Sequence, residues 1–156
     1  MPSPRPNRIL DIEKFEEAGS KGEEHMIDRI DHTALVVSDM ARSIDFYTGT
    51  LGFRIVKELD LPGRKLVMIA LGDDLASKIE LIRYGETDLS DTVPVERTTL
   101  GLRHLALHVD DIASSYQTLV KAGVEMEPEP PFQRPDGPPI AFGHDPDGVL
   151  LEFSEL

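Results

Sequence analysis

The sequence predicts an α+β fold made of two βαβββ modules. Three observations predict it: an internal repeat, an apolar and β-branched strand pattern that opens each copy, and a helical pattern that follows each of these strands. Strand-rich segments then complete each copy, separated by glycine and proline turns. Helices and strands mixed in this order favour sheets with helices on one face.

The repeat is clearest at four polar residues. His32 and Glu80 recur as His104 and Glu152, because 104 − 32 = 72 and 152 − 80 = 72. The repeat period is longer than that of solenoid repeats and there are only two copies, which indicates a duplicated module with pseudo-twofold symmetry. Two imidazoles and two carboxylates are residue types that suit a divalent cation.

The first copy predicts one strand, one helix and three further strands. The helix has Asp39 as a candidate N-cap, carries Met40, Ile44, Tyr47 and Leu51 on one face, and is ended by Gly52. The four predicted strands are Ile30–Val37, Phe53–Glu58, Lys65–Leu71 and Lys78–Ile82.

The second copy predicts the same order of elements. Asp111 is the candidate N-cap of its helix, Gly123 ends that helix, and the segment 145–148 reads as a hairpin turn. The predicted strands are Leu102–Val109, Val124–Glu127, Ile140–His144 and Val149–Phe153.

Domain boundaries follow from where the repeat begins and ends. Residues 1–28 lie outside it and are expected to form a peripheral N-terminal arm. Residues 29–156 are expected to form a single domain, with module one at 29–84, a polar linker at 85–100 and module two at 101–156.

Charge and composition exclude several classes of function. The formal net charge of −13 argues against a nucleic-acid partner or an anionic membrane partner, because phosphates would be repelled. The absence of cysteine excludes a disulfide framework and a thiol nucleophile. No apolar run approaches membrane-spanning length, so a soluble cytoplasmic protein is expected.

Strand alternation predicts that the four polar residues share the concave side of the sheets. Side chains two residues apart on a strand lie on the same face, so each His or Glu is opposite the larger apolar side chains that pack under the helices. His108 shares a face with His104 and is a candidate acid, base or substrate contact, although a polar side chain lining a wet pocket explains it equally well.

The sequence resembles the vicinal oxygen chelate superfamily over residues 29–156. This superfamily includes glyoxalase I, methylmalonyl-CoA epimerase, extradiol dioxygenases and bleomycin-resistance proteins. The resemblance rests on the segments Ile30–Asp39, Ser43–Tyr47, Leu51–Phe53, Gly101–Asp111 and Asp145–Glu152. It implies that the two modules form an open, cup-shaped mixed β-barrel, with helices outside, around one metal.

The resemblance also implies roles for the repeated residues. Its metal ligands would be His32, Glu80, His104 and Glu152, the pattern of glyoxalase I, holding Zn²⁺, Ni²⁺, Co²⁺ or Mn²⁺. The implied reaction is that of a lyase or isomerase, in which a proton moves through a metal-stabilised enediolate. Glu152 would be the catalytic base and Glu80 its counterpart on the other face.

Three alternatives stay open within the same superfamily. An extradiol-type dioxygenase would hold iron with His32, His104 and Glu152 alone. An enzyme like methylmalonyl-CoA epimerase usually has glutamine where this chain has Glu80. A non-catalytic small-molecule-binding protein of the bleomycin-resistance type would need none of the four ligands.

Two positions bear on the substrate. Glyoxalase I typically has a glutathione-binding arginine four residues after its first ligand histidine, and an asparagine four residues after its first ligand glutamate. Here these positions are Val36 and Tyr84, which argues against a glutathione conjugate. Together with His108 they are the expected substrate contacts. A homodimer is expected, and the metal site lies either within one chain or between two.

Overall fold

The computed structural model describes residues 27, 29–73, 75, 77–85, 100–128, 131, 133–134 and 137–155. Almost all of the predicted N-terminal arm and linker lies outside these residues. The chain divides into two compact units, Met1–Ile30 and Asp31–Leu156. The second unit contains all of the strands and helices that follow.

The first module has the predicted βαβββ order. Its strands form one four-stranded sheet in the order β1-β4-β3-β2, with β1 parallel to β4 and the other pairs antiparallel. The elements are β1 Thr33–Val36, α1 Met40–Ile44, a π-helical segment Asp45–Thr50, β2 Arg54–Leu61, β3 Arg64–Leu71 and β4 Ser77–Tyr84.

The second module repeats this topology. Its sheet has the order β5-β8-β7-β6, again with the first strand parallel to the last and the other pairs antiparallel. The elements are β5 Leu105–His108, α2 Ile112–Lys121, β6 Glu125–Met126, β7 Ile140–His144 and β8 Leu150–Ser154. The predicted α+β fold of two βαβββ modules is confirmed, with the described strands in two separate four-stranded sheets.

Aspartate caps begin both helices, as predicted. The Asp39 carboxylate accepts hydrogen bonds from the backbone N–H groups of Ala41 and Arg42 at 2.9 and 3.1 Å. The Asp111 carboxylate accepts from Ser114 N–H at 2.7 Å, and this bond holds the pKa of Asp111 below its ordinary value. Each cap satisfies backbone donors that the first helical turn leaves unpaired.

The first helix departs from the predicted α-helix after Ile44. The backbone widens into the π-helical segment, where Leu51 N–H donates to the carbonyl of Phe46, five residues earlier. Gly52 follows at φ +78°, the left-handed conformation expected of a helix terminator. Tyr47 lies in this segment and is completely buried.

Most strand ends differ from the predicted ones. Strand β1 spans Thr33–Val36 instead of Ile30–Val37, so His32 lies just before it. Strand β2 extends to Leu61, is exposed along its whole length, and forms one edge of its sheet. Its register against β3 shifts between Ile55 and Lys57.

Two apolar clusters form the core and share several side chains. The first contains Leu35, Val37 and Leu81, and the second contains Leu151 and Phe153. Five partly buried side chains pack against both clusters: Phe46, Leu51, Leu105, Leu107 and Val149. The two modules therefore pack against each other through the apolar strand faces, which are opposite the faces that carry the His and Glu residues.

A polar network also links the modules. The Tyr47 hydroxyl donates to the Asp145 carboxylate at 2.9 Å, across 98 residues of sequence. Burial, followed by the charge of Asp145, raises the pKa of Tyr47 above its ordinary value. Asp147 accepts from Ser38 N–H at 3.1 Å and from the Arg42 guanidinium at 2.7 Å. The β7–β8 turn is thus bonded to the start of the first helix.

Within the described part of the chain, no helix is both long enough and apolar enough to cross a bilayer.

Candidate functional site

The strand pairing places the predicted ligands at equivalent positions in the two sheets. Glu80 is paired with Ala34 on β1, and Glu152 is paired with Ala106 on β5. Each glutamate therefore lies beside the strand that follows a candidate histidine. The alternation argument for these positions is confirmed, since the neighbouring Leu81 and Leu151 are fully buried on the opposite face.

The first half-site consists of His32 and Glu80. The His32 Nε2 atom lies 3.9 Å from Glu80 Oε2, and these side chains are 36% and 21% exposed. This distance exceeds that of a hydrogen bond. Both groups are therefore accessible to a ligand and are not already bonded to each other.

The second half-site consists of His104 and Glu152. The His104 Nε2 atom lies 3.3 Å from Glu152 Oε2, and the glutamate side chain is 13% exposed. The Phe142 ring meets the imidazole at a centroid distance of 6.2 Å and an angle of 65°. A tilted, edge-on arrangement at this distance is a favourable aromatic contact.

The distance in the second half-site is compatible with metal ligation. Two ligands held at about 2.1 Å from one cation lie about 3 to 3.5 Å apart, in either octahedral or tetrahedral geometry. The 3.3 Å separation in the second half-site falls within this range, and the 3.9 Å separation in the first is slightly longer. Imidazole nitrogen and carboxylate oxygen together suit Zn²⁺ and its first-row neighbours.

The described residues show two pairs of candidate ligands and no larger group. In the described residues, no three His, Cys, Asp or Glu side chains are grouped closely enough to hold a metal ion. A single four-ligand site therefore stays a prediction.

Asp31 is a residue of the first half-site that strand alternation does not identify. Its Oδ2 atom lies 2.9 Å from His32 Nδ1, and its Oδ1 atom accepts from Lys78 Nζ at 2.9 Å. The hydrogen bond with His32 and then the one with Lys78 lower the pKa of Asp31 to about 2. The carboxylate is thus ionised over the physiological range.

The predicted substrate contacts lie near the half-sites. Val36 is 50% exposed and pairs with Ile82, two residues beyond Glu80 on β4. Tyr84 is partly buried and its carbonyl accepts from the Arg83 guanidinium. The His108 ring places Nδ1 3.2 Å from the Ser154 carbonyl. Their role in binding a substrate stays a prediction.

A further pair on the second sheet was not evident from the sequence. His144 Nε2 lies 2.9 Å from Glu127 Oε1, and the imidazole is 28% exposed. The contact brings β7 against the residue that follows β6. The sequence placed His144 only at the end of a strand, before a turn.

Comparison with known proteins identifies the family. The model of the Glyoxalase/Bleomycin resistance protein/Dioxygenase superfamily matches residues 29–153. The chain belongs to this superfamily. The resemblance seen in the sequence is thereby confirmed, and the match covers both half-sites of this superfamily member.

Relatives and solved structures agree with this family. A lactoylglutathione lyase of Haemophilus influenzae is 33% identical over 127 residues, which cover 80% of this chain and 90% of the relative. The trypanothione-dependent glyoxalase I of Leishmania major has 27% identity and a TM-score of 0.63, covering 83% and 87% of the two chains. An antibiotic-binding protein of Streptomyces, TnmS3, has 24% identity and a TM-score of 0.64, covering 84% and 98%, and this likeness concerns the fold alone.

Proposed function

We propose that this protein is a metal-dependent lyase or isomerase of the glyoxalase type, acting on a small molecule with two vicinal oxygens. The observation that carries the proposal is the pair of half-sites, each with a histidine nitrogen and a glutamate oxygen at 3.3 to 3.9 Å. Relatives named lactoylglutathione lyase, at 31 to 33% identity, support the same class of reaction.

The proposed cation is held by His32 and Glu80 of one half-site together with His104 and Glu152 of another. A divalent cation of this kind, Zn²⁺, Ni²⁺, Co²⁺ or Mn²⁺, supplies Lewis acidity that stabilises negative charge on a neighbouring oxygen. The four side chains would hold the cation, and the vicinal oxygens of the substrate would lie beside it.

Glu152 is the proposed base. Its carboxylate takes a proton from the carbon beside the substrate carbonyl and returns it to the adjacent carbon, so the reaction is an isomerisation with no net change in atoms or electrons. A positioned general base contributes about 10²- to 10⁴-fold to such a step. The side chain is only 13% exposed, which keeps competing water away from the carboxylate. Glu80 is the equivalent group for the opposite face of the substrate.

The proposed site lies between two copies of the chain. One chain presents two half-sites that are not grouped together in its described residues. A twofold-symmetric dimer can pair the first half-site of each copy with the second half-site of its partner, which creates two equivalent four-ligand sites.

Mixing two inactive variants tests this arrangement. His32→Ala and His104→Ala homodimers are each expected to be inactive, since every site lacks one imidazole. In a mixed dimer one site lacks both imidazoles and the other is intact, so random mixing should restore about a quarter of wild-type activity. Refolding the variants together and assaying the mixture measures this. A mixture as inactive as its components would place all four ligands within one chain.

Val36 occupies the position at which an arginine would bind a glutathione carboxylate. The substrate is therefore proposed to have no such carboxylate at this position. An exposed apolar side chain cannot pair with a carboxylate as an arginine would. Val36 and Tyr84 offer instead a partly apolar surface beside the first half-site. His108, with its ring half-exposed, is the proposed polar contact from the other sheet.

Metal reconstitution followed by a substrate screen tests the function. The purified protein is stripped with chelator and reloaded separately with Zn²⁺, Ni²⁺, Co²⁺, Mn²⁺ and Fe²⁺, and metal content is measured by elemental analysis. We expect one metal per site and, with the first four ions, isomerase activity on a conjugate of an α-oxoaldehyde with a thiol other than glutathione. Oxygen consumption with a catechol and Fe²⁺, epimerisation of an acyl-CoA ester, or tight ligand binding without metal would each replace the proposal. Absence of metal uptake would overturn it.

A further inference from the structure

We propose that Asp31 is a positioning residue that fixes the ring orientation and proton position of His32, and that Lys78 holds Asp31 in place. This proposal deepens the proposed function, because it concerns one of the proposed metal ligands. It nevertheless predicts a property of the metal-free protein, so it can be tested even if no metal binds.

The geometry determines which imidazole nitrogen carries the proton. An ionised carboxylate can only accept hydrogen bonds, so the contact of 2.9 Å between Asp31 Oδ2 and His32 Nδ1 places a proton on Nδ1. The lone pair of a neutral ring then lies on Nε2, the atom that is near Glu80 Oε2. The unprotonated Nε2 atom is thus available to bind a cation on the glutamate side of the half-site. A carboxylate on the opposite nitrogen also makes a ligating imidazole more basic.

Lys78 links this contact to the strand that carries Glu80. Its ammonium group donates to Asp31 Oδ1 at 2.9 Å, so each oxygen of the carboxylate is bonded to a different partner. Lys78 lies on β4, two residues before Glu80 and on the same face. Because Asp31 and His32 precede β1, this link joins the segment that carries the histidine to the strand that carries the glutamate.

The second half-site is built differently. The repeat offset places Arg103 at the position of Asp31, since 31 + 72 = 103, and Leu150 at the position of Lys78, since 78 + 72 = 150. The Arg103 guanidinium donates to the Leu102 carbonyl at 3.1 Å. The ion pair between Asp31 and Lys78 is therefore specific to the first module. Since the second module has the same topology without it, the fold of a module does not require this ion pair.

Two variants and a matched control test the proposal. Asp31→Ala removes the carboxylate, and Lys78→Met removes its anchor while keeping most of the side-chain volume. Asp60→Ala removes one negative charge from an exposed position on β2 of the same sheet, and therefore controls for the change in net charge. Asp31→Asn keeps a hydrogen-bond acceptor and should restore part of any loss.

The first readout is the nitrogen-15 spectrum of the His32 ring in metal-free protein at pH 8, where imidazoles are ordinarily neutral. We expect the Nδ1–H tautomer in the wild type and in Asp60→Ala, and a shift toward the Nε2–H tautomer in Asp31→Ala. A smaller shift is expected in Lys78→Met. An Nε2–H ring in the wild type, or no difference between the wild type and Asp31→Ala, would overturn the proposal.

The second readout is the affinity for Zn²⁺ measured by competition with a chromophoric chelator. Loss of a partner that supports a metal ligand typically weakens affinity by about 10- to 100-fold, and we expect this for Asp31→Ala. Asp60→Ala should bind as the wild type does, and Asp31→Asn should fall between. Equal affinity of Asp31→Ala and the wild type would overturn the positioning role. If the wild type takes up none of the four proposed ions, the proposed function fails and the ring-nitrogen spectrum alone decides the role of Asp31.

Discussion

Replacement of Glu152 by glutamine is expected to lower the turnover of the metal-loaded protein by about 10³-fold, because an amide cannot accept the substrate proton. Glutamine has nearly the same shape, so the His104 contact and the surrounding β8 strand should persist. The measurement is a steady-state assay on the best substrate from the screen, with metal content determined on the same sample. Dividing the activity by the bound metal separates loss of the base from loss of a ligand.

Glu58→Gln is the matched control for this variant. It makes the same change at an exposed carboxylate on β2, where Glu58 pairs with Lys65 at 2.9 Å. Exposed ion pairs of this kind contribute about 0 to 1 kcal/mol to stability, so activity should stay close to that of the wild type. If Glu152→Gln keeps more than a tenth of the activity per bound metal, Glu152 is not the base and Glu80 becomes the candidate.

Replacement of Asp145 by alanine is expected to lower the free energy of unfolding by about 3 kcal/mol, since it removes a buried acceptor shared by several donors. Asp145 is 4% exposed and accepts from the Tyr47 hydroxyl, from Asp147 N–H and from Val149 N–H at 2.8 to 2.9 Å. Its loss leaves a buried hydroxyl and two backbone groups without this partner. Urea denaturation followed by circular dichroism measures the change.

Two further variants serve as comparisons for the loss of stability in Asp145→Ala. Tyr47→Phe removes only one of the three bonds and keeps the ring that packs in the core, so a loss of about 1 kcal/mol is expected. Asp60→Ala removes an exposed carboxylate and should leave the denaturation midpoint nearly unchanged. If Asp145→Ala costs no more than Tyr47→Phe, the backbone bonds at the turn do not contribute and the network is weaker than its geometry indicates.

The sequence was sufficient to predict the fold and the faces of its strands. Repeat spacing and strand alternation placed Glu80 and Glu152 at equivalent positions, and the pairing of these residues with Ala34 and Ala106 agrees with that. Aspartate caps were predicted because their chemistry is local and acts within three residues. Strand faces and helix caps depend on local spacing and could therefore be predicted directly from the sequence.

Contacts between distant segments could not be predicted in this way. The bond between Tyr47 and Asp145 joins residues 98 positions apart, and the sequence identified the second only as part of a turn. The Asp31–His32 contact was missed because adjacent strand residues point to opposite faces, a rule that does not apply before β1 begins. The π-helical segment was missed because apolar spacing on one face does not distinguish it from an α-helix over so short a stretch.

The exposure of strand β2 affects how the protein behaves at high concentration. An edge strand with accessible apolar side chains is a template on which strands of other molecules can add. Here Ile55, Val56, Leu59 and Leu61 are 37 to 42% exposed, but Lys57, Glu58 and Asp60 lie between them and the register shift disturbs the regular ladder. The charged side chains and the register shift oppose the addition of further strands. Neutralising Lys57, Glu58 and Asp60 would therefore favour aggregation without altering either half-site.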